Sequence, residues 1–241
     1  MKLAVIGDPV AHSRSPALHE RFLREAAIEG SYAAIRVPAG ETAAALGRMR
    51  AEGFTGCNVT SPLKEEAFAC CEDLLPEAER AEAVNTIYFG KRIIGTNTDG
   101  VGAVTALRAP VATPLEKGSV AVLGTGPTAR AALAQLGAEG IRATLWGRDA
   151  QKVAALRARY GAAAWNEGEA EVALSTLPPG AVLPEDVAAW LQRVPIVMDA
   201  NYGERSTLGT QLGRSVIDGA AMLEAQAKAA FVFWQERIAA K

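Results

Sequence analysis

The fold is decided by residues 119–130, SVAVLGTGPTAR. An apolar run rich in valine predicts a buried strand, Gly124 and Gly126 follow it directly, and a stretch of helical period comes next. Strand, glycine turn and helix in this order are typical of a dinucleotide-binding unit, because glycine lets the backbone approach a pyrophosphate and a helix start attracts its charge. By itself the pattern fits an ordinary strand-to-helix turn equally well. The strands and helices around it must therefore decide between the two interpretations.

The rest of the chain continues the same alternation of strands and helices. After the turn, it predicts strands at 143–147, 171–177 and 195–202, with helices following Gly126 and at 149–160. Before the turn, it predicts strands at 2–7, 32–38, 56–60 and 85–95, the last with a hairpin at Gly90, and helices at 15–26, 41–52, 64–72 and 100–109. This alternation predicts an α/β protein of two domains, with mainly parallel sheets covered by helices.

Two segments fall outside the alternation. Residues 109–118, APVATPLEKG, are rich in proline, threonine and glycine and are typical of a linker or of a turn before a strand. Residues 219–241 predict one long, alanine-rich helix whose apolar residues continue round much of its surface, so it should pack against another element. We therefore expect a domain boundary near the linker.

Composition excludes several classes of function. With 25 Lys and Arg against 27 Asp and Glu in 241 residues, the net charge of -2 offers no broad cationic surface for nucleic acid. No stretch has the pattern of a membrane span or of a secretory signal, and Cys57, Cys70 and Cys71 lack the spacing of a zinc site. We expect a cytoplasmic protein with reduced thiols, no metal, and no nucleic-acid or membrane partner.

The end of the second strand in the glycine-turn series decides between the two nicotinamide cofactors. A carboxylate there binds the ribose 2′-hydroxyl of NAD, whereas cations bind the 2′-phosphate of NADP. Arg148 follows this strand and Lys152 lies one helical turn further on, which favours NADP(H), while Asp149 adds an anion beside the expected phosphate. In the turn itself, Pro127 removes one backbone donor and Ala129 stands where a third glycine is usual.

Polar clusters in the first hundred residues lie at predicted strand ends, where α/β proteins bind their ligands. They are HSRSP at 12–16, NVTSPLK at 58–64, VNT at 84–86 and NTDG at 97–100. Their hydroxyls and amides suit a ligand rich in oxygen atoms. Taken singly, each has an ordinary explanation: Ser15 and Asp99 fit helix N-caps, and Lys64 fits a surface charge at a helix start. We expect no catalytic role for His12 or His19.

Taken together, these motifs closely resemble those of the shikimate dehydrogenase family. The matching elements run from Gly7 to Gln226 and are GDPVAHSRSP, NVTSPLKEEA, AVNT, GTNTDGVG, GTGPTAR, GRD and DGAAMLEAQA. The resemblance implies a substrate-binding domain of residues 1–98 plus 219–241 and a Rossmann-type NADP-binding domain of residues 99–218. It also implies an oxidoreductase that reversibly reduces 3-dehydroshikimate to shikimate with NADPH, a step in chorismate and aromatic amino acid biosynthesis.

The resemblance also assigns roles to single residues. It implies that the substrate carboxylate is bound by Ser13, Ser15 and Tyr202, and the ring hydroxyls by Asn58, Thr60, Asn85 and Gln226. It makes Lys64 and Asp99 the catalytic pair. It implies that the cofactor is bound by Gly124, Thr125, Gly126, Thr128, Ala129, Arg148, Lys152, Thr176 and Gly219. The chain departs from the family pattern at Pro127, Gly147 and Asp149, and in LSTLPPG at 174–180, where only Thr176 matches well.

The chemistry of a ketone explains why such a pair is needed. Hydride delivery to a carbonyl creates an alkoxide, which must be protonated as its charge develops. A lysine ammonium can polarise the carbonyl and supply that proton, and an aspartate can orient the ammonium and accept a substrate hydroxyl. Two other hypotheses stay open: a related enzyme that also oxidises quinate, and a catalytically silent NADP-binding sensor. We expect a monomer or a homodimer acting on a small molecule.

Overall fold

The chain divides into two units, each built on its own sheet. The computed structural model describes residues 1–111, 115, 119–165 and 169–240. One unit consists of Met1–Asp99 with Gln226–Lys241, and the other of Gly100–Ala225. Strands and helices alternate along both, so the predicted α/β class is confirmed. The linker expected at 109–118 lies mostly outside the described residues.

The first unit contains a mixed sheet of six strands in its described part. Its elements are, in chain order, β1 (Lys2–Gly7), α1 (Ser15–Glu25), β2 (Ser31–Arg36), α2 (Thr42–Ala51), β3 (Gly56–Val59), α3 (Lys64–Cys70), β4 (Asp73–Leu74), α4 (Pro76–Ala81), β5 (Thr86–Phe89) and β6 (Ile93–Thr96). The strand order is β2-β1-β3-β5-β6-β4. Strand β1 pairs in parallel with β2 and β3, whereas β5 pairs antiparallel with β3 and with β6, across the hairpin predicted at Gly90.

The second unit contains a parallel sheet of five strands among its described residues. Its elements are α5 (Asp99–Arg108), whose first residue belongs to the first unit, β7 (Ser119–Leu123), α6 (Pro127–Ala138), β8 (Arg142–Trp146), α7 (Ala150–Tyr160), β9 (Ala163–Ala164), β10 (Val172–Ser175), α8 (Glu185–Leu191), β11 (Ile196–Asp199) and α9 (Leu208–Leu212). The strand order is β11-β10-β7-β8-β9. Because all strands run the same way, the loops after β7, β8 and β10 leave the same edge of the sheet, where α/β proteins bind ligands.

The last helix, α10 (Ala220–Ala239), packs on the sheet of the first unit. This packing explains why apolar residues continue round much of its surface. Trp234 is fully buried, and its Nε1 donates to the carbonyl oxygen of Ile87 at 2.8 Å. Gly56 leaves room for the indole, since a Cβ at that position would lie 2.4 Å from Trp234 Nε1. The end of the chain therefore belongs to the core of the first unit, with Leu3 and Tyr88 in the same apolar cluster.

Candidate active site

A buried ion pair joins two of the predicted site residues of the first unit. Lys64 Nζ and Asp99 Oδ2 are 2.5 Å apart, and the two side chains are 11% and 7% exposed. The structure thus brings together two groups that are 35 positions apart in the sequence. A lysine ammonium has three hydrogens and this contact engages one of them, so Lys64 keeps donors for a ligand oxygen.

Lys64 is held in place because the start of α3 is fixed from two sides. Lys64 is the first residue of the helix, and its carbonyl oxygen accepts a hydrogen bond from Val84 N at 2.9 Å. The Glu66 carboxylate accepts from the Thr42 hydroxyl at 2.6 Å and from Gly40 N at 2.9 Å. These bonds, above all the one from Thr42, lower the pKa of Glu66. The lysine therefore sits on a helix end that is tied to α2 as well as to the chain before β5.

Asp99 is oriented by two asparagines. Its backbone N donates to Asn97 Oδ1 at 2.9 Å, and the Asn97 amide donates in turn to the carbonyl of Ala83 at 2.9 Å. Asp99 Oδ1 accepts from Asn85 Nδ2 at 2.8 Å, while Oδ2 faces Lys64. Both carboxylate oxygens are engaged with donors, which suits an orienting partner of the lysine.

Asn85 connects the ion pair to other predicted site residues. It is 2% exposed, and besides Asp99 its Nδ2 lies 3.0 Å from Thr98 Oγ1 and 3.3 Å from Gln226 Oε1. Its Oδ1 accepts from Thr98 N at 2.8 Å and from the Thr86 hydroxyl at 2.9 Å. The protein therefore uses both ends of this amide, and a ligand hydroxyl would have to share or replace one of these partners.

Asn58 belongs to the same network through a cross-strand neighbour. It faces Thr86 in the register of β3 and β5, and its Nδ2 donates to Thr86 Oγ1 at 3.0 Å and to the carbonyl of Asn85 at 3.2 Å. Its Oδ1 accepts from the Tyr32 hydroxyl at 2.7 Å. Sequence reasoning missed Tyr32, and it placed Thr86 and Asn97 in polar clusters without assigning them a role. Tyrosine and threonine are ordinary strand residues, and only the strand register shows their polar roles.

The two predicted carboxylate-binding serines lie at the start of α1. Ser13 Oγ accepts from Ser15 N at 3.2 Å, and Ser15 is 5% exposed. Thr60 follows β3 and is half-buried, with its N donating to the Ile6 carbonyl at 2.9 Å. In the first unit, the Ser13 hydroxyl therefore holds the backbone of Ser15 at the helix start.

His19 is buried among aromatic rings beside this network. It stacks on Tyr32 with 4.4 Å between centroids and 3° between ring planes, and it also meets Phe22 and Trp234. Burial lowers the pKa of His19 to about 3 and raises the pKa of Tyr32 well above its usual value. Both side chains are therefore neutral at pH 7, and His19 serves as packing for Tyr32.

In the second unit the glycine turn follows β7, as predicted. Gly124 has a φ of 118°, and a Cβ there would lie 2.3 Å from Thr176 Oγ1, so glycine is required for both conformation and space. The Thr176 hydroxyl donates to the carbonyl of Leu123 at 2.9 Å, which ties the end of β10 to the turn. Gly126 is exposed before α6, whereas Ala129 is fully buried in the sheet core.

Packing within the turn explains one departure from the family pattern. A Cβ at Gly147 would lie 2.7 Å from Thr125 Cγ2 and 2.9 Å from Val153 Cγ2, so these side chains fill the space of a larger residue. Thr125, Pro127 and Thr128 are half-buried, and Pro127 is the first residue of α6. The backbone before this helix stays exposed at Gly126, which leaves a route for a phosphate to approach.

The three charged residues after β8 have different partners. Arg148 and Lys152 are exposed. Asp149 is the N-cap of α7, and its Oδ1 accepts from Gln151 N and Lys152 N, each at 3.0 Å. Its other oxygen lies 3.9 Å from Lys152 Nζ. The Asp149 carboxylate, which in the sequence counts against a 2′-phosphate, thus caps the start of α7. It nevertheless stays close to one of the two cations.

The segments after β11 carry Tyr202 and Gly219. Tyr202 is half-buried and precedes a short 3₁₀ turn. The buried Asp199 carboxylate accepts from Asn201 N at 3.0 Å, and the Asn201 carbonyl accepts from Gly219 N at 2.9 Å. A Cβ at Gly219 would lie 2.2 Å from the carbonyl oxygen of Ala200, so only glycine fits there. Gln226, Ser13 and Ser15 belong to the first unit, and Tyr202 belongs to the second.

The described residues show neither a metal site nor a membrane span. Within those ranges no group of three His, Cys, Asp or Glu side chains could hold a metal ion. No helix there is both long and apolar enough to cross a bilayer. The cysteines are free; burial raises the pKa of Cys57 and raises that of Cys71 to about 12, so both are protonated thiols at neutral pH.

Comparison with known proteins places this arrangement in a family. The shikimate dehydrogenase substrate binding domain matches residues 5–87. The shikimate dehydrogenase (NADP(+)) of Gluconobacter oxydans is 38% identical over 254 residues, which cover 97% of this chain and 90% of that protein. The enzyme of the same name from Acidiphilium cryptum is 42% identical over 158 residues, and that match spans 65% of this chain and only 57% of the relative.

A solved structure also matches nearly the whole chain. Shikimate 5-dehydrogenase of Thermus thermophilus, solved in complex with NADP(H) and shikimate, superposes with a TM-score of 0.84 at 33% identity, covering 98% of this chain and 94% of that one. The fold and the glycine turn thus define a two-unit α/β protein with a Rossmann-type unit. With the relatives above, the chain belongs to the shikimate dehydrogenase family.

Proposed function

We propose that this chain catalyses the reversible, NADPH-dependent reduction of 3-dehydroshikimate to shikimate. The observation that carries the proposal is the buried pair of Lys64 and Asp99, which lies in the same hydrogen-bonded network as Asn85 and Asn58. A buried ion pair adds little to the stability of a fold, because the cost of desolvating both charges offsets most of their attraction. Stability alone is therefore a poor explanation for this pair. A buried lysine that still has free donors, among amides and hydroxyls, suits a polar substrate better.

The first unit supplies the proton chemistry. The Lys64 ammonium donates to the carbonyl oxygen of the substrate, which stabilises the alkoxide as it forms, and then gives it the proton. In the reverse direction the neutral amine takes the proton of the alcohol. Asp99 holds the ammonium through Oδ2 and is itself held by Asn85. When bound, NADPH supplies the hydride that goes to the carbonyl carbon.

The second unit has a donor set that fits NADP. Gly124 and Gly126 leave the backbone open before α6, and Ala129 lets that helix pack closely on the sheet. Arg148 and Lys152 are exposed cations at the end of β8, suited to a 2′-phosphate. The remaining cofactor contacts of the proposal come from Thr125, Thr128, Thr176 and Gly219.

The proposal divides the substrate contacts by chemistry. Hydroxyls suit a carboxylate, and we assign this group to Ser13, Ser15 and Tyr202. Amides and hydroxyls inside the network suit ring hydroxyls, and we assign these to Asn58, Thr60, Asn85 and Gln226. In this scheme residues 1–98 with 219–241 form the substrate-binding domain and residues 99–218 the NADP-binding domain. The reaction is then a cytoplasmic step of chorismate and aromatic amino acid biosynthesis, carried out by a monomer or homodimer.

The proposal is tested by turnover with purified protein. Shikimate and NADP⁺ should give nicotinamide reduction above a blank, and Lys64→Ala should lower kcat about 100-fold or more, the scale of general acid–base catalysis. The matched control is Lys91→Ala, which removes an exposed lysine of the β5–β6 hairpin and should leave kcat unchanged. Equal turnover of quinate would give the broader enzyme instead. Turnover with neither substrate, together with tight NADP binding, would favour a catalytically silent sensor.

A further inference from the structure

A tyrosine outside the catalytic pair is hydrogen-bonded to Asn58. Tyr32 lies on β2, is 5% exposed, and donates through its hydroxyl to Asn58 Oδ1 at 2.7 Å. The stacked His19 ring, 4.4 Å away and nearly parallel, fixes the plane of the phenol. The position of the hydroxyl is therefore set by packing and not by solvent.

The bonds on the other side of Asn58 leave its amide one orientation. Its Nδ2 donates to the backbone carbonyl of Asn85 at 3.2 Å and to Thr86 Oγ1 at 3.0 Å. Because a carbonyl oxygen can only accept, the nitrogen must face Asn85 and the oxygen must face Tyr32. Both amide hydrogens are then used by the protein. Among the described residues, neither nitrogen of the neighbouring His19 has a hydrogen-bond partner, so the group that Asn58 has left for a ligand is the second lone pair of Oδ1.

We propose that Tyr32 is a positioning residue of the substrate site, which fixes Asn58 so that it accepts a hydrogen bond from a substrate hydroxyl. The inference rests on the proposed function and adds to it the direction of one hydrogen bond, in which the substrate hydroxyl donates and Asn58 accepts. Without the phenol hydroxyl, Oδ1 loses the donor that holds it, and the amide gains freedom to turn. Tyr32 touches neither Lys64 nor Asp99 in the described hydrogen bonds, so its loss should weaken substrate binding and spare the chemical step.

The first test compares two buried phenols of the same unit. Tyr32→Phe keeps the ring and its stacking on His19 and removes only the hydroxyl. Tyr88→Phe is the control, because the Tyr88 hydroxyl donates to the carbonyl of Arg237 at 3.4 Å and does not contact Asn58. We expect Tyr32→Phe to raise the KM for shikimate about tenfold, equivalent to one lost hydrogen bond, with kcat within about twofold and the KM for NADP⁺ unchanged. Tyr88→Phe should leave all three values unchanged.

The second test asks whether Tyr32 acts through Asn58. Tyr32→Phe is introduced into an Asn58→Ala background, and the KM for shikimate is measured for the two single variants and the double variant. If the tyrosine works through the amide, its loss has no further effect once the amide is gone. Equal increases in KM in both backgrounds would overturn the positioning role, and so would a wild-type KM for Tyr32→Phe.

A third variant keeps the test open if Tyr32→Phe folds poorly. Thr86→Val removes the acceptor on the opposite side of Asn58 with little change of shape, and it also removes a donor to Asn85 Oδ1. It should raise the KM for shikimate severalfold, and part of that increase should disappear in the Asn58→Ala background; an equal increase in both backgrounds would again count against the proposal. Wild-type turnover separates the two failures: an inactive wild type sinks the proposed function and this inference with it, whereas an active wild type with an unaffected Tyr32→Phe sinks the inference alone.

Discussion

The two predicted ligand regions are built in opposite ways. In the first unit, Lys64 and Asp99 are buried and bonded to each other, and the neighbouring amides are bonded to other protein groups. In the second unit, Arg148 and Lys152 are exposed, and the carboxylate between them caps a helix. A buried polar network depends on every member, because an unpaired buried group costs free energy. An exposed site tolerates replacement, and the departures at Pro127, Gly147 and Asp149 all lie in the second unit.

The largest effect should come from breaking the buried pair. Asp99→Asn removes the charge opposite Lys64, and we expect kcat to fall about 100-fold or more. The free energy of unfolding should fall by about 3 kcal/mol, since an ammonium would stay buried without its partner. Steady-state kinetics and urea unfolding measure the two effects. The control is Asp73→Asn, where a 45% exposed side chain pairs with Arg92 on the surface of the same unit. Similar losses of kcat and of stability in Asp99→Asn and Asp73→Asn would contradict the difference between a buried pair and a surface pair.

Acid should weaken the first unit through His19. The folded-state pKa is lowered to about 3 from an ordinary value of 6.5, mainly by burial. Below pH 6.5 the unfolded chain binds a proton that the folded chain refuses, so the free energy of unfolding falls as pH drops. The free energy of unfolding falls by up to about 1.4 kcal/mol per pH unit, and this fall ends near the folded-state pKa of His19.

The variant His19→Leu isolates this contribution from that of the carboxylates. Asp8 and Glu66 have lowered pKa values, so their protonation in acid also lowers the free energy of unfolding. This contribution is the same in wild type and in His19→Leu. Urea unfolding between about pH 7 and pH 5 should show a shallower slope for His19→Leu than for wild type. Parallel curves for wild type and His19→Leu would contradict the burial of a neutral imidazole.

The second unit should respond less strongly. Arg148→Ala should raise the KM for NADP⁺ about tenfold, because one charge-assisted contact to a phosphate is lost, and should leave the KM for shikimate unchanged. Arg142→Ala removes an exposed arginine at the other end of β8 and is the control. Initial-rate kinetics with each substrate varied in turn measure both constants. An unchanged KM for NADP⁺ would remove Arg148 from the phosphate site.

The smallest effect should come from Asp149. Serine is as good an N-cap as aspartate, so Asp149→Ser keeps the start of α7 while removing the anion beside the cations. The KM for NADP⁺ should fall by a few fold, since less than 1 kcal/mol is expected from an exposed charge. Asp149→Asn gives the same charge change with a different cap. A higher KM in both variants would mean that the carboxylate supports the site.

The sequence predicts the elements that carry a clear pattern. Helix α10 follows from a long apolar pattern, and short strands such as β7 and β10 follow from continuous apolar runs; the structure confirms all three. The elements β4, β9 and α8 carry neither signal, and sequence reasoning left them out. Clarity of pattern, and not length alone, therefore separates the predicted elements from the missed ones.

The same limit applies to the site. Family motifs point to Lys64 and Asp99, but their contact depends on where α3 and α5 begin. Tyr32 lies in no motif and Thr86 ends the AVNT motif without an assigned role, and their bonds to Asn58 arise only from the pairing of β2, β1, β3 and β5. Hydrogen-bond partners that depend on strand register cannot be read from spacing along the chain.

The proposed reaction requires that the buried lysine be the group that contacts the reacting oxygen. The most direct measurement is a crystal structure of the protein with shikimate and NADP⁺, in which the distance is determined from Lys64 Nζ to the hydroxyl oxygen on the shikimate carbon that gives up hydride. We expect a hydrogen-bonding distance of about 2.7–3.2 Å, with Asp99 still beside the ammonium. Shikimate bound without contact to Lys64, and the lysine paired with Asp99 alone, would contradict the account.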